Sequence, residues 1–113
     1  MEDIAGRIQR EVASWDGVTA RPHRFGGIEF VFGRRDLGHL HGSRWADIRF
    51  HPGVGRMLVE TGRAQEHHVL PESGWVSHQI RNEDDAADVV ELFRLSYERA
   101  RVAANVAESH AAE

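Results

Sequence analysis

Eight histidines occur in a chain of 113 residues, and four of them fall in two short clusters. The first cluster is Gly38-His39-Leu40-His41-Gly42, and the second is Gln65-Glu66-His67-His68. Histidine is the one side chain whose ordinary pKa lies near neutral pH, so clustering favours proton transfer, metal binding or stabilisation of an oxyanion. The neighbouring residues are Gly, Trp, Arg and Pro, which is typical of a shaped cavity rather than of a solvated tag.

The His-x-His pair leaves two kinds of site open. His39 and His41 are two positions apart, so both imidazoles lie on one face of a strand. His67 and His68 are adjacent, so at most one of them joins that face. Such a pair is half of a common metal site, for which His67, His68 or Asp47 would supply a third ligand. The spacing is weakly specific, because two solvated histidines on a polar sheet face satisfy it as well.

The composition narrows the class of protein. The net charge is −4, which disfavours a nucleic-acid binder because such proteins carry a basic surplus. No stretch approaches the roughly 20 apolar residues of a membrane span. No export signal is visible, and the absence of cysteine fits a reducing compartment, so a cytoplasmic protein is expected. Cysteine and lysine are both missing, which excludes zinc-thiolate sites, Cys nucleophiles and Schiff-base chemistry.

The apolar pattern predicts the elements that position these residues. Helices are predicted over 2–16, from Pro52 and after Asn82; an extended segment over 18–24; and strands over 28–33, 37–41, 44–50, 64–70 and 75–81. The order helix, strands, helix, strands, helix lacks βαβ alternation. It therefore predicts an α+β fold, an antiparallel sheet of about four to five strands with helices on one face. One domain is expected over 1–104, with a frayed tail over 105–113.

Three segments resemble the bacterial luciferase-domain family: residues 22–30, 38–42 and 67–77. The same domain occurs in the luciferases of bioluminescent fungi, and that similarity runs from about Asp36 to Tyr97. The fungal proteins carry a similar His-x-His. They also carry counterparts of Gly62, Gln65, His67 and Trp75, and an Arg-Asn-Glu start to the last helix that matches residues 81–83. The motifs are specific when taken together.

The resemblance implies an activity. Fungal luciferases oxidise a hydroxylated α-pyrone, 3-hydroxyhispidin, with O2 and use no recognised organic cofactor or metal. An electron-rich enol must lose a proton before O2 attacks it, and the resulting peroxide anion needs cationic or N–H donors. The function expected from the resemblance is therefore small-molecule binding with metal-free oxygenation of a hydroxylated pyrone or other aromatic enol. The alternative is a non-catalytic ligand- or metal-binding module built on the His-x-His pair.

The resemblance also suggests roles for particular residues. His39, His41 and His67 would supply the base and the donors, with no cofactor and no metal. The side chains expected to bind substrate are Arg24, Glu29, Asp47, Arg49, His68, Ser73 and Trp75. The expected partners are a small aromatic or pyrone-like molecule and O2, without nucleic acid or membrane, and homodimer formation is left open. A triad of Ser73, His67 and Asp47 is a further arrangement, although no nucleophile-elbow motif accompanies it.

Overall fold

A computed structural model describes residues 3–67, 70–71 and 73–112. The elements in chain order are α1 (Ile4–Ala13), β1 (Val18–Pro22), a short 3-10 turn (Arg24–Gly26), β2 (Ile28–Phe32), β3 (Arg35–His41), β4 (Trp45–Arg49), α2 (Pro52–Glu60), β5 (Gln65–Glu66), β6 (Trp75–Gln79) and α3 (Glu83–Ala112). This is the α+β class that the sequence predicts, in the predicted order.

The strands form one antiparallel sheet in the order β1-β2-β3-β4-β6-β5. Six strands are present instead of four to five, because the extended segment after α1 pairs along its whole length with β2. The strand predicted over 64–70 is shorter than expected, since β5 holds only Gln65 and Glu66. Val69, which falls within that predicted strand, lies outside the described residues.

The core lies between one face of the sheet and the helices α1 and α3. It is built from apolar side chains that alternate along the strands or recur along the helices: Ile8, Val12, Phe30, Leu40, Ala46, Ile48, Val76, Val89 and Phe93. Helix α2 packs against β5 and β6, and its Leu58 is fully buried. The opposite sheet face is therefore left for polar side chains of β2, β3, β4 and β6.

Side-chain caps set where the helices begin. Asp3 accepts a hydrogen bond from the Gly6 N–H, so α1 begins at Ile4 instead of residue 2, and it ends at Ala13. Pro52 is the first residue of α2, as predicted.

The last helix begins and ends as follows. The Asp85 N–H donates to Asn82 Oδ1 at 2.9 Å, which confirms the predicted cap of α3. Helix α3 continues to Ala112, and the fraying expected over 105–113 stays a prediction. In the part of the chain that the structure describes, no helix combines the length and apolarity needed to cross a membrane.

An irregularity in β3 comes just before the two histidines of the polar face. The pairing of β2 with β3 shifts register between Phe30 and Val31, and Gly38 takes a φ of 142° beside it. Leu37 and Leu40 are both buried in the core although they stand three positions apart. After the irregularity the alternation is regular: Leu40 is buried in the core, and His39 and His41 on either side of it share the opposite face, as the sequence predicts.

Candidate active site

The centre of the polar face is Asp47, in the middle of β4. Its side chain is only 1% exposed although its neighbours in sequence pack into the core from the other face. Trp45 Nε1, two residues earlier on the same strand, donates to Oδ1 at 2.9 Å. Ser77, which lies opposite Asp47 in β6, donates to the same oxygen at 2.5 Å. A buried carboxylate needs such donors, because desolvation is costly unless hydrogen bonds replace the lost water.

Three histidines converge on the other oxygen of this carboxylate. The distances to Asp47 Oδ2 are 2.9 Å from His41 Nε2, 3.2 Å from His39 Nε2 and 3.6 Å from His67 Nε2. Strand pairing explains the convergence, because His39 lies directly opposite Asp47 in β3 and His67 follows β5, whose Gln65 lies opposite Ser77. The structure thus brings the three sequence-predicted histidines to one atom.

The hydrogen bonds keep Asp47 ionised. Burial by itself would raise the pKa of Asp47, but hydrogen bonds from His39, Ser77 and Trp45, together with the nearby imidazole of His67, hold that pKa well below its ordinary value. An ionised carboxylate only accepts hydrogen bonds. The histidine nitrogens that face it are therefore N–H donors.

The other ring nitrogens differ in their surroundings. His67 Nδ1 accepts the Leu70 N–H at 3.0 Å, so the neutral ring carries its proton on Nε2, which faces Asp47. Both ring nitrogens of His67 therefore have a polar neighbour, the Leu70 N–H at Nδ1 and the Asp47 carboxylate at Nε2. The His41 side chain is 38% exposed, and no hydrogen-bond partner to its Nδ1 occurs among the described residues. A histidine oriented by a buried carboxylate through one nitrogen, with the other nitrogen accessible, is the arrangement of a general base.

Aromatic rings border the histidines. The ring centroid of Trp75 lies 5.5 Å from that of His39 and 6.1 Å from that of His67. His39 also meets His41 edge-on at 4.5 Å. A flat apolar molecule can pack against such a surface while polar atoms contact the imidazoles.

His23 is a site residue that the sequence reasoning missed. Its ring stacks on His39 with centroids 4.4 Å apart, and its Nδ1 lies 3.8 Å from Glu29 Oε2. Glu29 lies opposite His39 across the β2–β3 pairing and is also 3.3 Å from Arg21. Strand alternation places Glu29 on this face. His23 precedes an irregular 3-10 turn, so no periodic pattern in the sequence predicts that its ring stacks on His39.

Three other expected binding residues lie away from the cluster or outside the described part. Arg24 is exposed on the 3-10 turn, and no contact joins it to the histidines among the described residues. Arg49 is exposed at the end of β4 and lines a separate cavity. His68 lies outside the described residues.

Ser73 shapes the loop before β6 instead of joining a triad. Its hydroxyl donates to the Leu70 carbonyl at 2.6 Å and accepts the Trp75 N–H at 3.3 Å. The serine that contacts Asp47 is Ser77. The triad of Ser73, His67 and Asp47 is therefore not formed.

The comparison with known families adds one finding. A family model described as Luciferase domain matches residues 34–96. No curated protein and no solved structure matches the chain significantly. The matched segment runs from the turn before β3 into α3, and it includes His39, His41, Asp47 and His67.

Proposed function

Because the chain belongs to the luciferase domain family, we propose that it binds a small aromatic or pyrone-like enol and oxidises it with O2. The observation that carries this proposal is the convergence of His39, His41 and His67 on the buried, ionised carboxylate of Asp47, beside the ring of Trp75. It supplies a base, N–H donors and an aromatic surface within one site. No organic cofactor or metal takes part in the proposed steps.

The first step is removal of the enol proton. The substrate ring lies against Trp75, and its hydroxyl donates its proton to Nδ1 of His41. Asp47 stabilises the imidazolium through the hydrogen bond from Nε2, which is 2.9 Å long. A positioned base of this kind contributes typically about 10²–10⁴-fold to a rate.

The second step is the reaction of the enolate with O2. A bond forms between the enolate carbon and one oxygen atom. The enolate is thereby oxidised by two electrons, and O2 is reduced to a carbon-bound peroxide anion. The imidazolium of His41 then donates a hydrogen bond or its proton to that anion. His39 holds the carboxylate in place through a hydrogen bond, and the imidazole of His67 lies 3.6 Å from the same oxygen.

His41→Ala is expected to abolish O2 uptake on a responsive substrate and to leave the fold nearly intact. The ring is 38% exposed and Asp47 keeps four other polar neighbours, so the free energy of unfolding should fall by only about 1–2 kcal/mol. The measurement is O2 consumption with a panel of hydroxypyrones and catechols, beside a melting curve.

The matched control for that variant is His51→Asn, which removes another imidazole. His51 caps α2 by accepting the Gly53 N–H, and an asparagine keeps an acceptor there. The control should retain full uptake. Undiminished uptake by His41→Ala, or absence of uptake by the wild type on the whole panel, would contradict the proposal.

A metal-binding module is the second candidate, and one observation favours it. Ligand atoms of His39, His41 and Asp47 lie within 4.8 Å of one another, which suits two imidazoles and one carboxylate around a divalent transition metal. His67 fits this role less well, because a ring that binds metal through Nε2 carries its proton on Nδ1. The Leu70 N–H occupies that position as a donor.

Elemental analysis of protein purified without an affinity tag separates the two candidates. We expect zinc, iron and copper well below one equivalent, and O2 uptake that survives dialysis against a chelator. One equivalent of metal that is lost in His39→Ala would favour the metal-binding module instead. The matched control is His78→Ala, from a second and more exposed group formed with Asp85 and Asp88.

A further inference from the structure

A second cavity lies at the end of the sheet, where β3 begins, β4 ends and α3 passes over both. Its volume is about 640 Å³, which is within the usual range of small-molecule sites. Among its lining residues are three arginines, Arg35, Arg49 and Arg99. The lining does not include Asp47 or the three histidines that converge on it. It is therefore a different site from the one proposed above.

The three arginines of this cavity are not neutralised by the protein. All three are exposed, and no ion pair joins their guanidinium groups to a carboxylate within the described ranges. Other arginines do have such partners: Arg7 with Glu83, Arg21 with Glu29, Arg63 with Glu91, Arg81 with Asp85, and Arg94 and Arg101 with Glu98. Three exposed arginines without such a partner therefore line this one cavity.

The two carboxylates that line the cavity do not cancel this charge. Glu98 lies 3.0 Å from Arg94 and 3.8 Å from Arg101, so two other arginines already engage it. Asp36 interacts electrostatically with Arg49, and one of its oxygens accepts the Gly38 N–H at 3.0 Å, so its single negative charge offsets only one of the three guanidinium charges. A positive potential from the three unpaired guanidinium groups remains in the cavity.

Apolar atoms complete the lining. Phe50 and Ala100 are 7% and 2% exposed and form part of the wall, and Val102 is 61% exposed beside them. Guanidinium groups fork onto carboxylates with two parallel hydrogen bonds. An apolar wall beside such groups matches a ligand that carries a hydrocarbon body as well as a charge.

We propose that this cavity binds an organic carboxylate with a flat apolar body. The carboxylate pairs with Arg35, Arg49 and Arg99, and the body packs against Phe50 and Ala100. This assigns a role to Arg49, which lines this cavity and not the site around Asp47. The proposal does not rest on the proposed oxidation, because the ligand would bind without reacting.

Isothermal titration calorimetry with 2-naphthoate tests this site, with the neutral 2-naphthamide as the matched ligand. We expect the affinity for 2-naphthoate to exceed that for 2-naphthamide by about tenfold or more, because the neutral amide cannot form charge-assisted hydrogen bonds with the arginines. Arg49→Gln and Arg99→Gln should each weaken naphthoate binding by a similar factor. Asp36→Asn should tighten it, since a negative charge leaves the lining.

Two control variants locate the ligand. Arg21→Gln removes an arginine outside the cavity and should leave naphthoate affinity unchanged, as should His41→Ala. Equal affinity for naphthoate and naphthamide, or no heat of binding with millimolar naphthoate, would overturn the proposal. So would an equal loss of affinity in Arg21→Gln, or a loss in His41→Ala that places the ligand among the histidines.

Discussion

Replacing Gly38 with Ala is expected to lower the free energy of unfolding by about 4 kcal/mol or more, enough to leave little folded protein. An added Cβ would lie 2.3 Å from the Asp47 carbonyl oxygen and 2.8 Å from the Cα of Ile48. Both contacts are with backbone, so relief requires β3 and β4 to separate. The φ of 142° is also unfavourable for an L side chain. Denaturant unfolding followed by tryptophan fluorescence measures the loss.

Gly42→Ala is the matched control, at the other end of the same motif. Gly42 has a φ of 59°, but a Cβ there meets no heavy atom within 4 Å. Its substitution should therefore cost only the left-handed backbone penalty of about 1–2 kcal/mol. Losses of the same size for both glycines would show that β3 and β4 do not approach as closely as described.

Asp47→Asn is expected to cost about 3 kcal/mol of unfolding free energy at neutral pH and to abolish turnover. An amide nitrogen would replace one of two carboxylate oxygens that both accept hydrogen bonds. It would then face either the donors Trp45 and Ser77 or the three imidazoles. A buried donor facing donors leaves polar groups unsatisfied.

The pH dependence of that loss identifies the carboxylate. The pKa of Asp47 in the folded protein lies below its ordinary value of 3.8, so ionisation stabilises the fold at every pH above that value. The stabilisation is lost as the pH falls from about 4 toward the lower folded pKa. The difference between wild type and Asp47→Asn should thus narrow below about pH 4.

Ser77→Ala is the control for the charge of Asp47. It removes one hydrogen bond and keeps the carboxylate, so it should cost about 1–3 kcal/mol. A difference between wild type and Asp47→Asn that stays constant down to pH 2 would mean that Asp47 is not the anionic centre.

Much of the polar face follows from strand alternation alone. Ala46, Ile48 and Phe50 point into the core, which places Asp47 and Arg49 on the opposite face, as the sequence predicts. The same alternation explains why His39 and His41 share the polar face with Asp47. These inferences succeed because side chains alternate between the two faces along a single strand, so the face of each residue can be predicted without knowing the neighbouring strand.

The remaining site residues depend on contacts between distant parts of the chain. Ser77 joins Asp47 only because β4 and β6 pair in one register, and a serine in a strand carries no signal of that pairing. His67 follows β5 instead of lying within a strand, and the Leu70 N–H orients its ring. Arg24, which the resemblance suggests as a binding residue, lies on the exposed 3-10 turn, and no contact joins it to these histidines among the described residues.

Anaerobic mixing tests most directly whether His41, oriented by Asp47, removes the enol proton before O2 reacts. Chelator-treated protein is mixed without O2 with a 3-hydroxy-2-pyrone at a pH below the enol's own pKa, and the absorption band of the enolate is followed. The wild type should generate the band, which then decays when O2 is admitted, whereas His41→Ala and Asp47→Asn should generate none. Enolate formation by His41→Ala at the wild-type rate, or O2 uptake by the wild type without any enolate, would contradict this role for His41.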